Sequence, residues 1–444
     1  MKRSHRAMAA VAGLAAATMV VAACSSSGGS GSGSGSKSGG LTASAPGITA
    51  TTITIGSHQP LTGPAAPGYS EIAPAANAYF QYVNAHGGIF GRKIHYKYLD
   101  DGYNPTTTSS VVHQLVLNDN VFAIFNGLGT PTHLAVVQFL NSQHVPDVFV
   151  ASGCECWNNP TKYPDTFGWQ LDYVREGKIL GSYIEQHFKG KKIGYFYQND
   201  EFGQDGVKGL DMVIPKSQVV SRQTYVPTDT KIGPAVAALK AAGAQVVVSF
   251  SIPAFTALLK LTSLGLNFNP QLVVSDVGSD PITLAGLLNS FAKKSGSFGN
   301  TLINGIITDG YLPSLGSTSN PWISLFKKIH DQYDAKAPFD GNVLYGMSVG
   351  YTFVEAMFKA GRNPTRASLI AAINAGIPQG VSVAPYAYSS SDHSGITGAY
   401  IGVIKNGVLV PQGGTLVTDD SAAGKVTAFT GQQPAPPASG IPSS

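Results

Sequence analysis

Gly346-Met347-Ser348-Val349-Gly350 has the G-x-S-x-G spacing of a nucleophile elbow, and Asp392-His393 follows in Ser…Asp…His order. An elbow needs a buried strand, a sharp turn and then a helix. Here Tyr345, Val349, Phe353 and Met357 recur at helical spacing, which predicts Ser348 inside one long helix. A mid-helix serine is not held in a strained turn, and adjacent Asp392 and His393 can hardly flank each other as base and orienter. A serine hydrolase using Ser348 therefore stays a remote alternative, and the chain is expected not to be an enzyme. Neither H-E-x-x-H nor a phosphate-binding G-x-x-x-x-G-K-[ST] run occurs, so zincin chemistry and ATP hydrolysis have no support. The ten histidines are scattered. His58 and His133 are the two placed near loops that could meet a ligand. No metal and no cofactor are expected.

The three cysteines divide by context. Met1–Arg6 carries Lys2, Arg3 and Arg6, and small or apolar residues follow from Ala7 to Ala23, the pattern of a secretory signal peptide. The run is too short and alanine-rich for a membrane span, which needs about 20 strongly apolar residues. Val21-Ala22-Ala23-Cys24 resembles the lipobox of bacterial lipoproteins, which implies lipidation of Cys24 and a membrane anchor. An ordinary secretion signal or an uncleaved anchor is the alternative. Ser25–Gly40 is a Gly/Ser string with a root-mean-square reach of about 20–25 Å, so residues 24–47 are expected to act as a linker. Cys154 and Cys156 remain as an even pair outside the cytoplasm. A disulfide is the expectation there, with free thiols or a metal site as alternatives.

Losing the three cations of the signal takes the net charge from +4 to +1. A near-neutral chain has no electrostatic footprint for nucleic acid. The remaining roughly 400 residues suffice for two domains of ordinary size. Strand patterns at Ile53–Gly56, Lys93–Leu99, Val121–Phe125, Ile193–Tyr197, Gln245–Phe250 and Leu272–Ser275 alternate with helical periodicity, as at Ile72–Asn84 and from Ile179 to Phe188. Asn104-Pro105 supplies an N-cap and a first-turn proline for another helix. Such alternation predicts doubly wound parallel sheets, whose ligands bind at the carboxyl ends of strands near the topological switch point. From about residue 412 the pattern dissolves, and Gly431–Ser444 is expected to be a frayed tail.

"IGSHQPLTGPAAPGYSE" (55–71), "VNAHGGIFGRKIHYKYLDDGYNP" (83–105), "NGLGTPTHLAV" (126–136), "PDVFVASGC" (146–154) and "YFYQNDEFGQDG" (195–206) occur in one order. Together they resemble the leucine/isoleucine/valine-binding type of extracytoplasmic solute-binding protein, which serves ABC importers. The resemblance implies the type I periplasmic-binding-protein fold: two α/β lobes joined by three crossovers. Residues 48–171 plus 310–384 would form one lobe, and 172–309 plus 385–413 the other, with 414–444 a flexible tail.

Carried over residue by residue, the resemblance makes Gly129 and Thr130 the loop that grips a ligand carboxylate. Ser152, Gly153 and Cys154 match the second ligand loop, although "CECW" replaces the usual small and hydroxyl residues, and Trp157 could wall the cleft. Phe202 stands where many relatives have tyrosine, and Tyr69 is a second aromatic candidate. Asp276 matches the acid that pairs with a ligand ammonium. Phe250 and Ser251 are weaker candidates. The resulting expectation is a substrate-binding lipoprotein, anchored through Cys24 to the outer face of the bacterial cytoplasmic membrane. It would capture a branched-chain or other apolar amino acid and deliver it to an ABC permease. The alternatives are an amide, urea or aromatic carboxylate as ligand, or a ligand-sensing role.

Overall fold

The computed structural model describes residues 40–443. The signal peptide, Cys24 and most of the expected linker lie outside these residues. Leu41 onward forms one compact unit.

Five parallel strands build the first sheet: β1 (Thr52–Gln59), β2 (Lys93–Asp100), β3 (Ile124–Phe125), β4 (Asp147–Val150) and β5 (Thr166–Gly168), in the order β2-β1-β3-β4-β5. The winding reverses beside β1, so the loops after β1 and β3 sit at the switch point. In the second sheet β6 (Ile193–Gln198), β7 (Val219–Tyr225), β8 (Val246–Phe250), β9 (Gln271–Val274) and β10 (Ile307–Gly310) are parallel, in the order β10-β9-β8-β6-β7. β11 (Gly398–Lys405) joins β10 antiparallel and carries β12 (Val408–Pro411) and β13 (Leu416–Val417), with β14 (Thr427–Ala428) beyond. The chain leaves the first lobe after β5, returns after β10, and crosses again before β11. The type I two-lobed fold expected from the sequence is therefore what the chain adopts.

Local chemistry explains most helix starts. Asn104 accepts from the amides of Thr106 and Thr107, with Pro105 in the first turn. Asp172, Asp200, Asp280 and Asp340 cap the helices Tyr173–His187, Glu201–Asp211, Pro281–Phe291 and Gly341–Ala360 in the same way. Helix 341–360 runs through the first lobe against Ile72–Ala85, where Gly346 lets it come close: a Cβ there would lie 2.2 Å from the Ile72 carbonyl oxygen.

Three expectations need correction. Only Ile124–Phe125 of the predicted strand 121–125 is paired as a strand; the carbonyls of Val121 and Phe122 instead accept from the Arg366 guanidinium. The last residues of the predicted linker are docked on the first lobe. Arg92, 1% exposed, donates to the carbonyls of Thr42 and Thr49 and to the Arg362 carbonyl. The tail is not frayed over its described length. Beyond β13 and β14, Trp322 donates to the Pro434 carbonyl (2.6 Å), and Tyr79 and Tyr82 donate to the carbonyls of Gly440 and Ser439 (2.9 and 2.6 Å). Proline and glycine forbid regular structure there, but they leave carbonyls free to accept from neighbouring side chains.

Candidate functional site

A cavity of about 250 Å³ lies between the lobes, at the carboxyl ends of both sheets. Two loops of the first lobe define one wall. Gly129 has φ +103°, and a Cβ there would lie 2.5 Å from both the Tyr103 ring and the Thr132 hydroxyl, so only glycine fits. That turn sets Thr130 on the wall, its Oγ1 bonded to Ser152 Oγ at 2.7 Å. The Tyr173 hydroxyl lies against the same pair.

The opposite wall is acidic. Asp276 follows β9, and its amide donates to Glu176 (2.8 Å) and to Asp309 (3.1 Å). Asp276 faces the cavity and is half-buried, so it loses part of its bulk water. That desolvation, with Asp309 nearby, pushes its carboxyl well above the usual range. Burial likewise pushes Glu176 up to about 7 and raises Asp309. The Glu176 and Asp309 carboxyls are hydrogen-bonded to each other, which requires a proton between them. Among the described residues lining the cavity there is no lysine, arginine or histidine. Tyr69, Tyr103, Tyr173, Tyr311, Tyr345 and Tyr400, with Phe202, give the wall much aromatic surface, and Gln170, Asp280 and Asn342 add further polar groups.

The lobes meet on both sides of this space. Tyr69 Oη donates to the Val277 carbonyl (2.5 Å), and the Gly341 amide donates to Asp280 (2.9 Å). On the far side the Glu155 amide donates to Asp205 (2.8 Å), and the Glu155 carboxylate pairs with Lys208. Cys154 and Cys156, joined by a disulfide, flank Glu155 and present it to the second lobe.

Of the residues singled out from sequence, Tyr69, Gly129, Thr130, Phe202 and Asp276 line the cavity. Ser152, Gly153 and Cys154 do not. Ser152 stands behind Thr130, and Gly153 is closed in by Tyr173, whose amide donates to its carbonyl at 2.7 Å. Cys154 is taken up by its disulfide. His58 and His133 are fully buried and bonded to each other and to Asp101 and Asp147. Trp157 packs edge-on against His133 rather than on the cleft. Phe250 is buried over Gly206, and Ser251 bonds to Ser249 and Thr256. Ser348 is buried in helix 341–360 and donates to the Leu344 carbonyl (2.6 Å), while His393 bonds to Thr166 and Asn374; the elbow does not form. The sequence reading missed Tyr103, Tyr173, Tyr311, Tyr345 and Tyr400, because aromatic residues at strand ends and in a helix look like core. Only the Asp101-Gly102-Tyr103 corner after β2 offered a signal.

Two lobes closing on one cavity have counterparts among known proteins. The periplasmic binding protein family matches residues 52–408. A Leu/Ile/Val-binding protein homologue of Brucella melitensis is 28% identical over 205 residues, 44% of this chain and 53% of the relative. The chain thus spans about half the length of that curated relative. A branched-chain amino acid ABC transporter protein of Thermus thermophilus, solved with bound valine, superposes with a TM-score of 0.71 at 18% identity, covering 83% of this chain and 97% of that one. A fatty acid ABC transporter substrate-binding protein of Thermomonospora curvata also gives 0.71, at 21% identity, with 89% and 98% covered. These two likenesses are of fold. With the family match covering most of the folded residues, the chain belongs to the periplasmic binding protein family.

Proposed function

We propose that the protein is the extracytoplasmic substrate-binding component of an ABC importer and captures an apolar amino acid between its lobes. One observation carries this reading: the Thr130 hydroxyl and the cation-free Asp276 carboxyl line one aromatic cavity from different lobes. A zwitterion satisfies both. Its carboxylate accepts from Thr130, backed by Ser152, and its ammonium replaces the missing cation at Asp276. Tyr69 and Phe202 flank the apolar side chain. Contacts to both lobes from one ligand hold them shut, as hinge closure requires. Lipid on Cys24 and a docked permease complete the role: a tethered receptor that searches the membrane surface for its transporter.

The test is calorimetric titration of the protein with leucine, isoleucine and valine. Asp276→Asn is expected to weaken binding by at least thirtyfold, the scale of about 2 kcal/mol or more for removing one partner of a buried charge pair. An arriving ammonium opposes the raised Asp276 pKa, so wild-type affinity is expected to change with pH, and Asp276→Asn to lose that dependence. Unchanged affinity in Asp276→Asn overturns the clamp. An amide or urea has no ammonium and would bind Asp276→Asn nearly as well.

A further inference from the structure

Three elements meet behind Asp276. Glu176 lies in the first turn of helix Tyr173–His187, Asp309 is in β10, and Asp276 opens the turn after β9. The Asp276 amide is where they converge: an oxygen of Glu176 accepts from it at 2.8 Å and an oxygen of Asp309 at 3.1 Å. Two carboxylates drawn onto one N–H repel each other unless a proton lies between them. Glu176 and Asp309 meet that need by hydrogen-bonding to each other, and the Ser275 hydroxyl bonds to Glu176 as well.

Neither residue is among those lining the cavity; Glu176 is 2% exposed and Asp309 is fully buried. Their effect reaches a ligand only through Asp276. An amide held by two acceptors fixes the backbone from which the Asp276 side chain projects. The Tyr311 hydroxyl, bonded to the Asp276 carboxyl, holds the other end. Binding groups held in place before a ligand arrives lose less freedom when it binds.

We infer that Glu176 and Asp309 are positioning residues, a hydrogen-bonded carboxyl pair that holds Asp276 in the cavity wall for a ligand ammonium. This rests on the amino-acid reading above and deepens it. Glu176→Gln keeps both bonds without a proton: its Oε1 accepts from the Asp276 amide, its NH2 donates to an ionised Asp309, and the pair keeps its single negative charge. Glu176→Leu fills the space but accepts nothing. Glu176→Asp keeps the charge but is a methylene too short to reach the amide.

The test is a double-mutant cycle with Asp276→Asn, with folding checked by thermal melting. The readout is calorimetric affinity, at one pH, for whichever of leucine, isoleucine and valine the wild type binds most tightly. Glu176→Leu and Glu176→Asp should each weaken binding about tenfold or more, whereas Glu176→Gln should stay within about threefold of the wild type. In Asp276→Asn the Leu and Asp substitutions should cost less than about twofold further, because the group they position is gone. A residue that serves only the fold would cost as much in both backgrounds. Equal losses in both backgrounds, wild-type affinity in Glu176→Leu and Glu176→Asp, or a loss in Glu176→Gln as large as in Glu176→Leu overturns the positioning role alone. Glu176→Asp carries the cycle if Glu176→Leu does not fold. Failure of the wild type to bind any of the three amino acids overturns the amino-acid reading, and this inference with it.

Discussion

Nε2 of His58 sits 2.9 Å from Nδ1 of His133, in the middle of a buried chain that ends on a carboxylate at each side. Asp101 accepts from His58 Nδ1 at 2.8 Å, and Asp147 accepts from His133 Nε2 at 2.7 Å. Desolvation by burial lowers the His58 pKa, which disfavours a charged ring there. The relay lies directly under Gly127, where a Cβ would come within 2.5 Å of His58 and 2.7 Å of His133. It therefore supports the loop that carries Gly129 and Thr130 into the cleft.

His133→Ala would leave Asp147 buried without its histidine. Leaving a buried hydrogen-bonding group without its partner costs about 1–3 kcal/mol. Urea unfolding of the variant should show a loss of that order, together with weaker ligand binding as the loop above loses its footing. A loss under about 1 kcal/mol would mean the relay does not stabilise the fold.

Stability should fall as pH rises from about 5 to 8. Burial, then the neighbouring Asp340 carboxylate, pushes Glu71 up to about 8, and burial with Asp340 pushes Asp280 up to about 6. An acid whose folded pKa lies above its unfolded value near 4.5 keeps its proton longer in the folded state. Its stabilisation is complete below the unfolded pKa and lost as pH climbs through the folded one. Glu71→Gln removes the titration, so its thermal midpoint should vary less between pH 6 and 8 than that of the wild type. Parallel pH profiles for the two proteins would show that Glu71 is not the group responsible.

Ending the chain at Gly431 should destabilise it, despite the composition of the segment removed. The truncation deletes the acceptors of Trp322, Tyr79 and Tyr82 and the side-chain bond between Asn320 and Gln433. Trp322 is 1% exposed, and a buried donor left unpaired costs about 1–3 kcal/mol. We expect about 2–4 kcal/mol in total, with a red shift of tryptophan fluorescence as water reaches the indole. An unaltered thermal midpoint and spectrum would show the strap to be idle.

Much of the fold was legible because its signals are local. Short runs of β-branched and aromatic residues marked β1, β6, β8 and β9, and Asn104-Pro105 wrote its own helix start. The cavity-lining residues after strands, Thr130 and Asp276, follow from the same logic, since a parallel sheet delivers its carboxyl-end loops to one edge. Residues 41–47 and 433–441 misled because composition reports what a segment can do alone. Arg92, Trp322 and Tyr79 lie far away in sequence, and it is they that hold these segments.

The sequence by itself determined the alternation of strands and helices, the order of the motif loops, and the scarcity of charge in the chain. Tertiary structure alone decided that Ser152 backs Thr130 while Thr130 faces the cavity, and that His58 and His133 meet under the loop. It also decided that five further tyrosines line the cleft. The physical reason is one of range. Backbone preference and side-chain periodicity act over a few residues, so sequence records them. Which of two neighbouring hydroxyls is exposed, or which carboxylate is left without a cation, depends on groups brought together from both lobes, and those distances exist only once the chain has folded.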